Sequence, residues 1–462
     1  MTWLPALVLS VAAGAFDGGA ALKHASALGA LGPHPWGSPR GAAAAAYVAS
    51  QLRGAGLSDV RLQEFESHGI RGANVVGVLR GASPEFVVMG AHHDAAPGAT
   101  GAYDDGGGVG VLIESARALA RRPRPPRTVV FASWDGEEAE SLGVGASAAG
   151  SRDHVRSLGA EGRNLVAVLD VEMCGWKKGR PVFHPIPYAD PLRPGAYVVT
   201  PAWLMRAALQ AARRSPASAG VGDPILSWLY QPAVRTFRVT LYGDDVSFLQ
   251  SGLPAVFASD SSFSAFYPYY HQPEDTADKI DAASLARMGT VALAVVEGLV
   301  RVPRGPASEP DWFAAFGYVL GSVPLLAIGA LSLVPGLAAD RGRRFFNLRL
   351  AQAALFGLLL WRHPVPALWV FVVANVVTAL TRRRWTAALA LLPLALLLIL
   401  GAAAWHRGFV AGLWLAPWEI GAAAVAMVLL FAGSPGKAPG TAPGRRLQPS
   451  RRRRGKLAAR PV

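Results

Sequence analysis

Val87-Val88-Met89-Gly90-Ala91-His92-His93-Asp94 runs from an apolar, β-rich stretch straight into two histidines and an aspartate. Similar short runs recur at Asn74–Leu79, Glu85–Gly90, Thr128–Ser133, Leu165–Val171 and Pro254–Ala258. Helical patterns separate several of them, notably Val109–Arg121. Upstream, Ser38-Pro39 supplies an N-cap and a proline at the first helical position, and the alanine-rich segment behind them stops at glycine. Strand-like runs alternating with helices predict an α/β fold over residues 36–305: a mostly parallel, twisted sheet with helices on both faces. Such sheets carry their ligand sites at the carboxyl ends of the strands. His92 and Asp94 fall at such an end.

The chain has 462 residues, of which 52% are hydrophobic and 16% charged, with a net charge of +14. The charge is unevenly placed. Residues 1–300 hold 25 Lys+Arg and 27 Asp+Glu, a net −2, so the remaining 162 residues carry the difference from +14, a net +16. That excludes a uniformly basic nucleic-acid binder and a wholly disordered chain. The basic part is also the most apolar. Long apolar stretches at 312–338, 345–361, 365–380, 385–405 and 408–432 predict an all-α transmembrane region of about five spans within 306–435. Arg341, Arg343 and Arg344, then Arg382, Arg383 and Arg384, mark alternate loops, and a basic, disordered tail occupies 436–462. By the positive-inside rule these loops and the tail are cytoplasmic, which puts residues 36–305 on the extracytoplasmic side of a lipid bilayer. The apolar run at 1–16 reads as a signal peptide or signal anchor, within a leader segment of 1–35. A single cysteine, Cys174, excludes an intrachain disulfide.

Five stretches carry the chemistry. His92-X-Asp94 offers a metal-binding imidazole with a carboxylate to orient it. Gly101-Ala102-Tyr103-Asp104-Asp105-Gly106-Gly107-Gly108 opens a helix with two acids; with no Lys-Ser/Thr behind the glycines and acids in front, it is no phosphate loop. Phe131-Ala132-Ser133-Trp134-Asp135-Gly136-Glu137-Glu138 delivers two adjacent glutamates, which need a cation or shifted pKa values. Asp170 and Glu172 share one face of a strand by its period of two, and either is a candidate ligand. Tyr270-His271 lies in an aromatic loop ahead of Asp275-Thr276. Two histidines and several carboxylates at strand ends form a ligand set for two borderline divalent cations, with zinc the first candidate.

In their order, His92-X-Asp94, Asp104-Asp105, the Phe131–Glu138 string and Tyr270-His271-X-X-X-Asp275-Thr276 resemble the co-catalytic di-zinc peptidases, the zinc aminopeptidases and glutamate carboxypeptidases, with a membrane-anchored member as the closest analogy for the apolar C-terminal part. The resemblance implies two zinc ions bridged by Asp104, with His92 and Glu172 completing one site and Glu138 and His271 the other. It implies Glu137 as general base, Asp94 as the residue that orients His92, and Tyr270 as a hydrogen-bond donor to the tetrahedral intermediate. Gly243-Asp244-Asp245-X-Ser247-Phe248 resembles the family's Ser-Asp-His-X-X-Phe, with Gly for Ser and Asp for His, which weakens any pocket role there. Glu172-Met173-Cys174-Gly175 fits the register of the fourth ligand with Glu in place of Asp; Asp170 competes with it. The implied activity is a zinc-dependent exopeptidase acting on a peptide substrate, an aminopeptidase in preference to a carboxypeptidase, through a bridging hydroxide. A single-zinc relative of the glutaminyl cyclases and a catalytically dead, receptor-like ectodomain are the competing readings, with a transporter behind them. Few acids in the apolar stretches argue against the transporter.

Overall fold

The computed structural model describes residues 16–143, 147–192, 197–221, 243–261 and 266–307, together with the strand residues 312–315 and 318–321. In chain order the helices are α1 (Gly18–Gly29), α2 (Pro39–Gly54), α3 (Gly106–Ala120), α4 (Ala149–Leu158), α5 (Ala202–Arg214), α6 (Asp245–Gln250) and α7 (Ala282–Leu299). The strands of the main sheet are β1 (Asp59–Ser67), β2 (Ile70–Leu79), β3 (Ser83–His92), β4 (Arg127–Trp134), β5 (Leu165–Val171), β6 (Val182–His184), β9 (Gly220–Val221) and β10 (Ala255–Ser259). Two short strands, β7 (Tyr188–Ala189) and β8 (Tyr197–Val198), pair apart from them.

The sheet runs β1-β2-β4-β3-β5-β10-β6-β9. Its centre, β4-β3-β5-β10, is parallel throughout, as the alternating pattern predicts. The flanks make the sheet mixed: β1 pairs antiparallel with β2, β2 with β4, and β10 with β6, whereas β9 pairs parallel with β6, so parallel pairings hold only a narrow majority. Strand β1 escapes the sequence pattern for a physical reason. It lies at the sheet edge and buries only Phe65 among its nine residues, so its pairing is made by backbone and not by an apolar face.

Period-two alternation splits the central strands between two cores. Val87, Met89, Ala91, Val129 and Phe131 face the layer of α1, α2, α3, α5 and α7. Val88, Ala132, Trp134 and Val168 face the other layer, with Phe248 and Leu249 of α6. Strand β5 is buried along its whole length. Ser38 caps α2 through its hydroxyl, which accepts the Gly41 N–H at 3.0 Å, and Pro39 opens the helix as the sequence predicts.

The core reaches back before residue 36. Phe16, Ala21, Ala25 and Leu28 are buried, and α1 packs on α3 and α7, so the described fold includes residues 16–35, which the sequence pattern assigns to a leader segment. Among the described residues α7 is the one helix long and apolar enough to cross a membrane, and it serves as a core helix against α1, α3 and α5. The expected spans fall almost wholly outside the described residues. The exception is the start of the first: Trp312–Ala315 pairs antiparallel with Tyr318–Gly321, a hairpin where a helix is expected.

Candidate metal centre

The carboxyl ends of the parallel strands bring the predicted residues together. His92 ends β3 and Asp94 follows it; Glu137 and Glu138 open a 3₁₀ turn after β4; Asp170 lies in β5, and Glu172 follows its last residue, Val171. Asp104 precedes α3, whose N-cap is Asp105. The glycines there serve close packing. A Cβ on Gly107 would sit 1.9 Å from the Cys174 carbonyl oxygen, and one on Gly108 2.3 Å from that of Val171. Their absence lets the helix start abut the end of β5. Asp105 then accepts the N–H of Gly108 at 2.9 Å and of Met173 at 3.0 Å through one oxygen, tying α3 to the turn after Glu172.

Asp104, Glu138 and His271 converge: one ligand atom from each lies within 4.8 Å of the others. His271 Nε2 is 2.8 Å from Glu138 Oε1 and 3.5 Å from Asp104 Oδ2, yet neither Nε2 nor that Asp104 oxygen has an aligned hydrogen bond. Lone-pair atoms close together but not aimed at one another point at a shared centre, which is how ligands of a cation stand. This donor set of one imidazole and two carboxylates suits zinc. His92 Nε2 is 3.3 Å from Asp104 Oδ1, so Asp104 touches both histidines. Next door, His93 bonds Ser133 through Nδ1 at 3.0 Å, and burial pulls its pKa down to about 4, leaving it neutral and apart from the cluster.

Asp94 meets His92 through its backbone as well as its side chain. Its backbone carbonyl accepts from His92 Nδ1 at 3.0 Å, whereas its carboxylate lies 3.5 Å from that nitrogen. The carboxylate also accepts the N–H of Glu137 at 3.1 Å and of Glu138 at 3.2 Å. Asp94 thus clamps the turn that presents both glutamates and fixes the His92 tautomer through its own backbone.

Glu172 departs from the expected pairing. It groups with Asp170 and Asp244, one oxygen of each within 4.8 Å, and His92 belongs to neither group. Asp170 and Glu172 are therefore both in the site. Asp244, whose role the altered motif leaves in doubt, is fully buried there, and Asp245 beside it accepts the Tyr188 hydroxyl at 2.6 Å. Cys174 is a packed residue, donating to the Glu172 carbonyl at 3.2 Å.

Two positioning residues stand behind the cluster: Asp275, which the Tyr270–Thr276 motif contains without a role, and Asp260, which sequence reasoning misses. Asp275 accepts the N–H of Tyr103 at 2.9 Å, the N–H of Asp104 at 3.2 Å and the Tyr267 hydroxyl at 2.9 Å, so it holds the loop that carries Asp104. Asp260 accepts the Tyr103 hydroxyl at 2.8 Å and the Gly175 N–H at 2.6 Å. Tyr270 stacks on His271, with ring centroids 3.7 Å apart.

The electrostatics follow from burial. Burial alone would lower the His92 pKa, but its bonds with Asp104 and Asp94 hold it well above the usual range. The same contest raises His271 to about 10 through Asp104 and Glu138. Burial would raise Asp104, and the two histidines hold it low instead. Burial, with Glu138, Asp244 and Asp94 nearby, pushes Glu137 well up. Burial and Asp170 do the same to Glu172, and burial raises Asp244 to about 7. A site crowded with neutralised acids is one built for cations.

Residues 74–296 match peptidase family M28. A probable lipoprotein aminopeptidase, LpqL, of Mycobacterium tuberculosis is 27% identical over 54% of this chain and 50% of its own length. A probable leucine aminopeptidase of Arthroderma otae is 23% identical over 53% of this chain and 63% of its own. The match thus spans less than two thirds of either relative. Among solved structures, a zinc aminopeptidase of Bacillus subtilis shares the fold at a TM-score of 0.50 and 17% identity, covering 63% of this chain and 97% of that one. The LapA aminopeptidase of Legionella pneumophila shares it at a TM-score of 0.50 and 16% identity, covering 62% of this chain and 73% of that one. The strand-end histidines and carboxylates all lie within residues 74–296, the part of the chain that is similar to peptidase family M28.

Proposed function

We propose that the chain is a zinc-dependent aminopeptidase that hydrolyses the first bond of a peptide with a free amino terminus. The observation that carries this reading is the convergence of Asp104, Glu138 and His271 beside Glu137. These residues fit one zinc ion; His92, Asp104 and Glu172 are the residues for a second, with Asp104 shared. Zinc, when bound, supplies a Lewis acid that polarises a carbonyl and lowers the pKa of water. Glu137 takes the proton of the attacking water and delivers it to the leaving amine. Burial favours its neutral form, and a neighbouring dication reverses that preference. Tyr270, whose phenol burial keeps protonated, donates to the developing oxyanion. Asp94 holds the backbone of Glu137 and Glu138 so that base and ligand keep their separate directions.

The test uses the zinc-loaded full chain on peptide pairs that differ only in N-terminal acetylation. Cleavage of the free peptide alone, lost on chelation, supports the reading; equal cleavage of both, or cleavage that ignores the chelator, overturns it. A single-zinc, glutaminyl-cyclase-like enzyme is the second reading, because His92 and Glu172 stand outside the converged triad. It predicts cyclised product from N-terminal glutamine. The same proposal anchors the domain on the extracytoplasmic side through the apolar stretches of 306–435, with the basic tail cytoplasmic, supported by the alternation of basic loops. Protease protection of the tail in sealed vesicles checks that orientation.

A further inference from the structure

A cavity of about 670 Å³, a size that suits a small molecule, lies at the end of the sheet away from the metal centre. Ser83 at the start of β3, Thr128 near the start of β4 and Asn164 just before β5 line it. It therefore sits at the amino ends of the strands whose carboxyl ends carry the metal-ligating candidates.

Strand register decides what faces this cavity. In the antiparallel β1–β2 pair Asp59 lies opposite Val78 and Arg61 opposite Val76, and opposed residues share a face. Val78 in turn lies opposite Val130 of β4. All five line the cavity, and Arg80 and Arg124 join them, so three valines make an apolar floor under three arginines. The lining acids are Asp59 and Glu161, which leaves one positive charge in excess. Asp59 does not use up the arginines. One of its oxygens stands 3.8 Å from Arg61 and 3.7 Å from Arg80, both beyond hydrogen-bond length. Arg124 gives one nitrogen to the Gly81 carbonyl and keeps its other donors.

A buried donor completes the set. His154 of α4 is 2% exposed and lines the same cavity. The Trp134 indole N–H donates to its Nδ1 at 2.8 Å. An indole nitrogen only donates, so Nδ1 is the acceptor and the ring proton sits on Nε2. Burial pulls the His154 pKa down to about 4, which keeps the ring neutral and in that tautomer. Among the described residues no group accepts from Nε2. The Arg61 charge reaches the same ring. A buried N–H without an acceptor, set beside guanidinium groups and above an apolar floor, matches an oxyanion on an apolar body.

We propose that this cavity binds a small, soluble organic anion. His154 Nε2 and the Arg61 and Arg124 guanidinium groups hold its carboxylate or phosphate head, and its apolar body rests on Val76, Val78 and Val130. Guanidinium forks suit either head. The site is separate from the metal centre and does not depend on the peptidase reading.

The experiment is isothermal titration calorimetry on the full chain stripped of metal, so that no zinc takes the anion. The probes are phenylacetate and phenyl phosphate, with inorganic phosphate as the head alone and benzyl alcohol as the body alone. The expected result is one site per chain for at least one of the two anions, at least about 10-fold tighter than for either fragment, and the tighter anion assigns the head. Arg61→Gln, Arg124→Gln and His154→Phe should each weaken it by about 10-fold. Arg156→Gln, on α4 but outside the cavity, should not change it. His154→Phe is read only if its melting temperature matches the parent's; Arg61, whose side chain is more than half exposed, carries the test otherwise. Neither anion binding saturably, Arg61→Gln binding as the parent does, Arg156→Gln losing as much as Arg61→Gln, or a fragment binding as tightly as the whole anion each overturn the proposal.

Discussion

Two clusters share the carboxyl edge of one sheet and solve the same electrostatic problem differently. Around Asp104 the acids are paired with imidazoles: His92 on one oxygen, His271 facing the other. Around Glu172 there are only acids, Asp170 and Asp244, and their oxygens go unpaired. Histidine offsets carboxylate charge even before metal arrives, so the first cluster is held ionised and preorganised. In the second, burial outweighs the opposing charges of His92 and Arg152, and Asp244 rises to about 7. The two groups thus differ in donors, imidazole with carboxylate around Asp104 and carboxylates alone in the group of Asp170, Glu172 and Asp244.

The sharpest way to break the first cluster is Asp104→Asn. It removes the carboxylate that touches both histidines, and peptide cleavage should fall to the level of chelated protein, with zinc lost in metal analysis. Tyr270→Phe should leave zinc in place and lower kcat by about 10²–10³-fold with KM little changed, the pattern of a donor used in the transition state; an unchanged kcat would remove Tyr270 from the chemistry. Asp275→Asn should weaken zinc affinity by about 10–100-fold, because it loosens the loop bearing Asp104. Competition with a coloured chelator measures that loss.

The smallest effect concerns the acidic side and pH. Burial raises Asp245 from 3.8 to about 7, so it stays protonated in the folded chain over a range where the unfolded chain ionises. The unfolded state thus binds fewer protons between those values, and metal-free stability should fall as pH rises from about 4 to about 7. Asp245→Asn should flatten that slope in thermal melts across the window. A slope of the opposite sign would mean that the cluster is ionised in the folded protein.

Much of this was legible in the residues. The five apolar runs became β2, β3, β4, β5 and β10, because buried central strands must be apolar on both faces. The Phe131–Glu138 string and His92-X-Asp94 pointed to the site because strand ends concentrate chemistry. Other features depend on contacts that pattern does not carry. Strand β1 is half exposed and reads as polar. Asp275 holds Asp104 across 171 residues of chain, and Asp260 reaches Tyr103 across 157. Asp94 reads as a partner for His92 by adjacency, but adjacency does not show that its carboxylate also accepts the N–H groups of Glu137 and Glu138. The grouping of Glu172 with Asp244 required a third segment to fold over β5, which no local spacing announces.

The central claim is that adjacent glutamates divide the labour, Glu138 holding metal and Glu137 moving the proton. Zinc content and peptide cleavage, measured together on Glu137→Gln and Glu138→Gln of the full chain, test it most directly. The account predicts that Glu137→Gln keeps its zinc and loses about 10²–10⁴-fold in kcat, while Glu138→Gln loses both. A Glu137→Gln chain that cleaves at the parental rate, or one that cannot hold zinc, would contradict it.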